Sequence, residues 1–206
     1  MAFKRFTKKR KFRKSRKPGM VKMMRRVAQK VVSFNQEHKY FDTDMGTTID
    51  YSGVASDLCL VPQGDTDVTR DGDVLLPTSL ELNIQVIAGD SSNVLQFCII
   101  RNKSDKTIQP GTVFSTVGGT SAPLYPLDHD RRSQYDLIAR FWIVVDVYHP
   151  IKHIHRFIKL KKKLCKFIAA ATTQASGHLW LVAISDSAAA SHPAMQGSIR
   201  LNFTDG

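Results

Sequence analysis

Ser79-Leu80-Glu81-Leu82-Asn83-Ile84-Gln85-Val86 alternates polar and apolar residues without a break. A β-strand sends successive side chains to opposite faces. Period two therefore puts Leu80, Leu82, Ile84 and Val86 against a core and turns Glu81, Asn83 and Gln85 to water. The same period returns near the C-terminus, where Ile199, Leu201 and Phe203 alternate with Ser198, Arg200 and Asn202. Stretches 94–100, 141–148 and 179–184 are rich in β-branched and aromatic residues, the composition of pleated, packed strands. Turn-forming residues gather between them, at 65–73, 89–93, 118–126 and 185–197. The pattern predicts about eight strands, long connections and no helix in this part of the chain. The alternation of strands with 10–15-residue helices that marks a parallel sheet is missing. The expected fold class is all-β, an antiparallel sandwich or barrel.

Upstream of this region the chemistry changes. The first 30 residues carry 14 Lys and Arg and no acid, and the first carboxylate is Glu37. The whole chain has 30 Lys+Arg and 18 Asp+Glu, so 16 basic and 18 acidic groups remain outside that segment. The protein is thus a near-neutral body with a polycationic arm. A dense cationic run without acids repels itself and stays extended until it meets a polyanion. Neutralising phosphates releases condensed counterions, so the favoured partner is a nucleic acid. The expected division is an arm over 1–36 and a body over 37–206. The candidate phosphate ligands in the arm are Lys4, Arg5, Lys8, Lys9, Arg10, Lys11, Arg13, Lys14, Arg16, Lys17, Lys22, Arg25, Arg26 and Lys30. Phe3, Phe6 and Phe12 lie among them, placed to stack on unpaired bases, which favours single strands. Pro18-Gly19 interrupts any helix. Beyond it Met20, Met24, Val27 and Val31 recur at helical spacing, with Lys22, Arg25, Arg26 and Lys30 on the other faces. That spacing predicts a short amphipathic helix over 20–32. The clusters at 8–11 and 13–17 also fit a nuclear import signal read by a host receptor.

A second basic cluster lies at 152–166, with seven Lys/Arg and no acid. Without it the body keeps 9 basic and 18 acidic groups, so charge is segregated along the chain. Its core, Phe157-Ile-Lys-Leu-Lys-Lys-Lys-Leu-Cys-Lys-Phe167, reads as a strand or as a helix. The strand reading suits the all-β body. It places Lys159, Lys161 and Lys163 on one face, opposite Ile158, Leu160 and Leu164, as a second phosphate site together with Lys152 and Arg156.

The remaining motifs weigh little. His153-Ile154-His155 has the form of the metal-binding histidine pair of rolling-circle nucleases, but no Tyr nucleophile follows Tyr148. Asp65, Asp67, Asp71 and Asp73 cluster around glycines, yet the spacing lacks the Glu of a calcium loop and Arg70 sits among them. Cys59, Cys98 and Cys165 are odd in number and scattered, which indicates neither a disulfide framework nor a zinc site. No phosphate-loop, nucleophile-elbow or zinc-protease motif is present. No stretch of 18 apolar residues occurs, so no membrane insertion is expected. The expectation is a non-enzyme with no cofactor and no metal.

Several short motifs then fall in a particular order. His38-Lys39-Tyr40-Phe41-Asp42-Thr43 opens the body and Val61-Pro62-Gln63-Gly64 follows. Next come Arg70, Gly72-Asp73 and Ser79-Leu80, then Pro126-Leu127-Asp128 with Arg131. The chain closes on Gly197-Ser-Ile-Arg-Leu-Asn-Phe-Thr-Asp205. This order resembles the capsid proteins of small circular single-stranded DNA viruses, the circovirus-like group. It is most similar to the branch whose coat is like that of satellite tobacco necrosis virus. Residues 147–156 depart from it. The resemblance implies a single jelly roll of two four-stranded sheets and self-assembly into an icosahedral shell, commonly of sixty copies. It further implies an inward-pointing arm on a single-stranded DNA genome, with location in the virion and, during assembly, in the host nucleus. The other reading of the residues is a cellular β-barrel protein that binds single-stranded nucleic acid with a basic tail. That reading needs aromatic residues on a sheet face beside basic ones, and Phe141, Trp142 and Trp180 lie in apolar runs that read as core.

Overall fold

The computed structural model describes residues 19–35, 37–115, 117, 119, 121–124, 126–161, 163–169, 171–188 and 191–205, with side chains for all of these but 29, 30, 32–35 and 122. The chain divides into two units, 1–36 and 37–206.

The described part of the first unit is one helix, α1 (Met20–Asn35). Met20, Met23, Met24, Val27 and Val31 are exposed apolar side chains on it, and it continues three residues beyond the segment that spacing alone marks out. Its first turn closes on the Gly19 carbonyl, which accepts from the Lys22 and Met23 amides at 2.9 and 3.2 Å.

The second unit is all-β. Its strands are β1 (Lys39–Thr48), β2 (Val54–Asp57), β3 (Val74–Ile87), β4 (Ser92–Asn102), β5 (Tyr135–Asp146), β6 (Ile151–Lys159), β7 (Cys165–Phe167), β8 (Gln174–Ser176), β9 (Leu179–Ser185) and β10 (Ala194–Asp205). All pairings between them are antiparallel. One sheet runs β1-β10-β3-β7-β8, with β6 also on β3; the other runs β2-β9-β4-β5. The expectation of eight strands in two four-stranded sheets is therefore exceeded by two. The extra pair, β7 and β8, has three residues per strand and lies between β6 and β9. Leaving that pair aside and counting in chain order, the first sheet reads 1-8-3-6 and the second 2-7-4-5. That interleaving is the jelly roll.

β3 explains how one flank serves two partners. Ser79–Ile87 pairs with β6, whereas Val74 and Leu75 pair with β7. Pro77 falls in the gap between them, at a register shift opposite Phe203, where its missing N–H breaks no ladder. On its other side β3 runs against β10 so closely that a Cβ on Gly197 (φ 129°) would lie 2.3 Å from the Asn83 carbonyl oxygen. Only glycine fits there.

The core fills the space between the sheets. Leu80, Leu82, Ile84 and Val86 of β3 and Ile199, Leu201 and Phe203 of β10 face Leu95, Phe97, Ile99, Phe141, Ile143 and Val145. Phe97 and Phe141 stack, with centroids 5.3 Å apart. A second apolar cluster lies on the other face of β4 and β9, where Cys98, Ile100, Trp180, Val182 and Ile184 pack under Ile108, Val113 and Phe114. These last residues belong to the long β4–β5 connection, which carries a four-residue helix, α2 (Pro110–Val113), where no helix is expected from sequence. β9 is buried on both faces for this reason.

Candidate nucleic-acid interface

Of the arm residues singled out by sequence, Lys4, Arg5, Lys8, Lys9, Arg10, Lys11, Arg13, Lys14, Arg16 and Lys17 lie outside the described residues, as does the side chain of Lys30. Lys22, Arg25 and Arg26 are exposed on α1. All three sit in its N-terminal half, while its first turn has no acid and its last turn no base. The helix dipole is positive at that end, so these cations are placed against it. A bound anion relieves both repulsions together and meets free backbone N–H groups as well.

The second cluster is rearranged relative to its sequence reading. β6 ends at Lys159, and residues 160, 161, 163 and 164 belong to no strand. Strand alternation therefore does not extend to Lys161 and Lys163. Lys152 and Arg156 also separate from Lys159. They pair with the core-facing Val86 and Leu82, whereas Lys159 pairs with Ser79 on the alternate face. The Arg156 guanidinium closes the sheet edge over the Phe141 ring, 4.3 Å from its centroid.

Lys159, Lys161 and Lys163 do meet, by another route. They line a cleft of about 530 Å³ together with Arg101, Lys103 and Arg132. The one acid there is Asp136, which takes Lys163 at 2.5 Å and Lys103 at 2.9 Å. The Lys163 bond, reinforced by Lys103, holds the Asp136 carboxyl down at about 2. It stays ionised at neutral pH, and the cleft keeps an excess of five positive charges. Arg101 is a site residue that sequence reading missed. Its signal is phase: it follows Phe97 and Ile99 at period two and so points into the sandwich.

Charged groups elsewhere in the body are structural. Lys39 is buried with its ammonium among Asp71 (2.5 Å), Asp205 (2.9 Å) and Glu37 (3.9 Å). Burial opposes its charge, but hydrogen bonds to Asp71 and Asp205 win and raise its pKa above the ordinary lysine value. Those three carboxylates are the single metal-type cluster among the described residues, and the Lys39 ammonium already occupies their centre. Arg70 is wholly buried. It donates to the carbonyls of Val61, Gly72, Ala169 and Ala171 and stacks on Phe167 at 4.0 Å. The acidic loop around it is thus organised by an internal arginine.

The folding chain brings together some nucleophile-type residues that lie far apart in sequence. Cys59 and Cys165 approach to 4.0 Å between sulfurs, and the His178 Nδ1 lies 2.9 Å from Asp57. Both cysteines and His178 have no exposed surface, so no substrate reaches them. His153 and His155 face outward from β6, both exposed, with His155 Nε2 3.6 Å from Glu81. Trp142, expected in the core, is 47% exposed. The alternation that buries Phe141 and Ile143 turns it outward, where Arg140 covers its ring at 4.5 Å and Pro123 accepts from its indole N–H.

Fold and charge together define a jelly-roll protein with a basic leading segment and a basic cleft. No family model and no curated protein matches the chain. Among solved structures it is similar to a chain of Desmodium yellow mottle tymovirus, at 9% identity and a TM-score of 0.36, covering 82% of this chain and 88% of that one. A likeness of that degree is too loose to bear on function.

Proposed function

We propose that the chain is a viral capsid subunit that self-assembles into a small icosahedral shell and packages a single-stranded DNA genome through its arm. The observation that carries this reading is the 1-8-3-6/2-7-4-5 jelly roll directly preceded by 14 cations in 30 residues. The mechanism is co-assembly: polyanion relieves repulsion between arms, and body–body contacts then close the shell. A shell of about sixty copies brings about 840 arm charges inside; with mobile cations neutralising the remaining phosphates, this suits a genome of roughly one to a few thousand nucleotides. The protein resides in the virion, and the clusters at 8–11 and 13–17 serve host import receptors that deliver it to the nucleus for assembly. Electron microscopy of the purified protein tests the reading, because a monomeric single-strand-binding protein forms no uniform shells. That alternative draws little support from Trp142, whose ring is already covered by Arg140.

The role is structural, without enzymatic activity. The His153/His155 pair has no Tyr nucleophile after it in the sequence. The expected result is no metal-dependent nicking of single-stranded DNA. Nicking that vanishes in a His153→Ala/His155→Ala double variant contradicts this.

A further inference from the structure

Arg101 is the anomaly of the basic cleft. It is the penultimate residue of β4 and only 5% exposed. One Nη donates weakly to the Lys161 carbonyl at 3.4 Å. Its Nε is fully buried and has no hydrogen-bond partner among the described residues. Its cross-strand neighbour on β5 is Asp136, the acid that could satisfy it, yet that carboxylate is taken by Lys103 and Lys163. A buried charged donor left unpaired is costly. Where folded chains keep such a group, a water, an ion or a ligand completes it.

The surroundings specify that ligand's charge. Arg132, Lys159 and Lys161 also line the cleft without a carboxylate partner among the described residues. The cations come from four places along the chain: the end of β4, the turn before β5, the end of β6 and the β6–β7 loop. A solvated charge run does not bring such residues to one wall-lined space, and a guanidinium at its base offers a planar donor fork suited to tetrahedral oxyanions. The volume exceeds that of one phosphate, and Leu137, Ile138 and Leu160 supply apolar wall beside the cations. A phosphate carrying an organic group fits both features.

We propose that this cleft is a discrete phosphate-binding site, with Arg101 at its base and Lys159 and Lys161 at its mouth. The site takes either a backbone phosphate of a single strand or the phosphate of a free nucleotide. It stands independently of the capsid reading, since it belongs to the body and not to the arm. It also differs in kind from the arm, because a built site is saturable and stoichiometric.

The test uses the full-length chain, stripped of nucleic acid by nuclease and high salt. Thermal melting and calorimetry are run with pyrophosphate, thymidine 5′-phosphate, thymidine and a short oligothymidylate, against sodium chloride of equal ionic strength. The expected result is saturable stabilisation by the three phosphate-bearing probes, with no effect of thymidine. Arg101→Met should weaken the binding about ten-fold or more, and Lys159→Gln/Lys161→Gln, which changes only exposed residues, by several-fold. Tighter binding of the oligonucleotide, lost in the same variants, assigns the site to a strand phosphate. Equal or tighter binding of thymidine 5′-phosphate assigns it to a free nucleotide. Binding that is unchanged in the lysine double variant, or thymidine binding equal to that of its phosphate, overturns the proposal. Particles that assemble normally while the cleft binds nothing would sink this site and leave the capsid reading intact.

Discussion

Deleting residues 2–30 should leave a folded β body that no longer packages nucleic acid and keeps at most the saturable, stoichiometric binding of the basic cleft. The segment holds 14 of the 30 cations, and what remains has 16 basic and 18 acidic groups. Among the described residues, every member of the two apolar clusters lies beyond Glu37, and the body is expected to fold on that core. If only six to ten of the arm's cations neutralise phosphates, raising salt from about 50 to 200 mM should already weaken the intact protein by about 10³–10⁵-fold, without sequence preference. Removal of the arm should abolish that steep salt dependence. The checks are melting temperature for the fold, and binding of unrelated single strands across a salt series. A truncated protein that retains normal nucleic-acid content and slope contradicts the assignment of the arm.

The second large effect is on stability. Arg70→Met should cost about 3–5 kcal/mol, the range for removing one partner of a buried charged network. The guanidinium is fully buried and links the β2–β3 connection, through the Val61 and Gly72 carbonyls, to the segment after β7, through Ala169 and Ala171. Ala169 is held in the left-handed region at φ 52°, a conformation that costs a non-glycine residue energy and that the Arg70 bond offsets. Methionine keeps the packing on Phe167 but leaves four carbonyls without their donor. A domain of this size should lose roughly 10 °C in melting temperature. Arg70→Lys should recover little, because a lysine cannot reproduce the donor fork. A loss under about 3 °C would mean that the two loops are held together by other contacts.

The body's strands were legible because water and core impose period two on them. β3 and β10 read directly, since each has one wet face along most of its length. Residues 157–167 did not read correctly, and the reason is tertiary. Alternation would carry a strand from Phe157 to Phe167, but β3 can pair with β6 only from Ser79 onward. Past Pro77 the flank passes to β7, which begins only at Cys165. Lys161 and Lys163 thereby leave the sheet and join Lys159 at a cleft instead of along a face. Trp142 misled in a simpler way. Its apolar neighbours suggested core, whereas strict alternation with Phe141 and Ile143 already placed it outside. The burial of Arg70 and Lys39 has no local signal. Arg70 has Asp71 next to it and Lys39 has Glu37 two residues before it, as surface residues do, and distant partners enclose them: Ala169 and Ala171 for Arg70, Asp71 and Asp205 for Lys39. The 4.0 Å approach of Cys59 to Cys165, 106 residues apart, was equally invisible.

The central claim, co-assembly of a jelly-roll subunit with single-stranded DNA, is tested most directly by imaging. The full-length protein, freed of nucleic acid, is mixed with single-stranded DNA of about two thousand nucleotides and examined by electron microscopy, with nuclease protection of the DNA measured in parallel. The account predicts closed particles of one diameter, with the DNA protected inside and no particles from the chain lacking residues 2–30. Saturable binding of DNA by a protein that stays monomeric, forms no shells and leaves the DNA open to nuclease would contradict it.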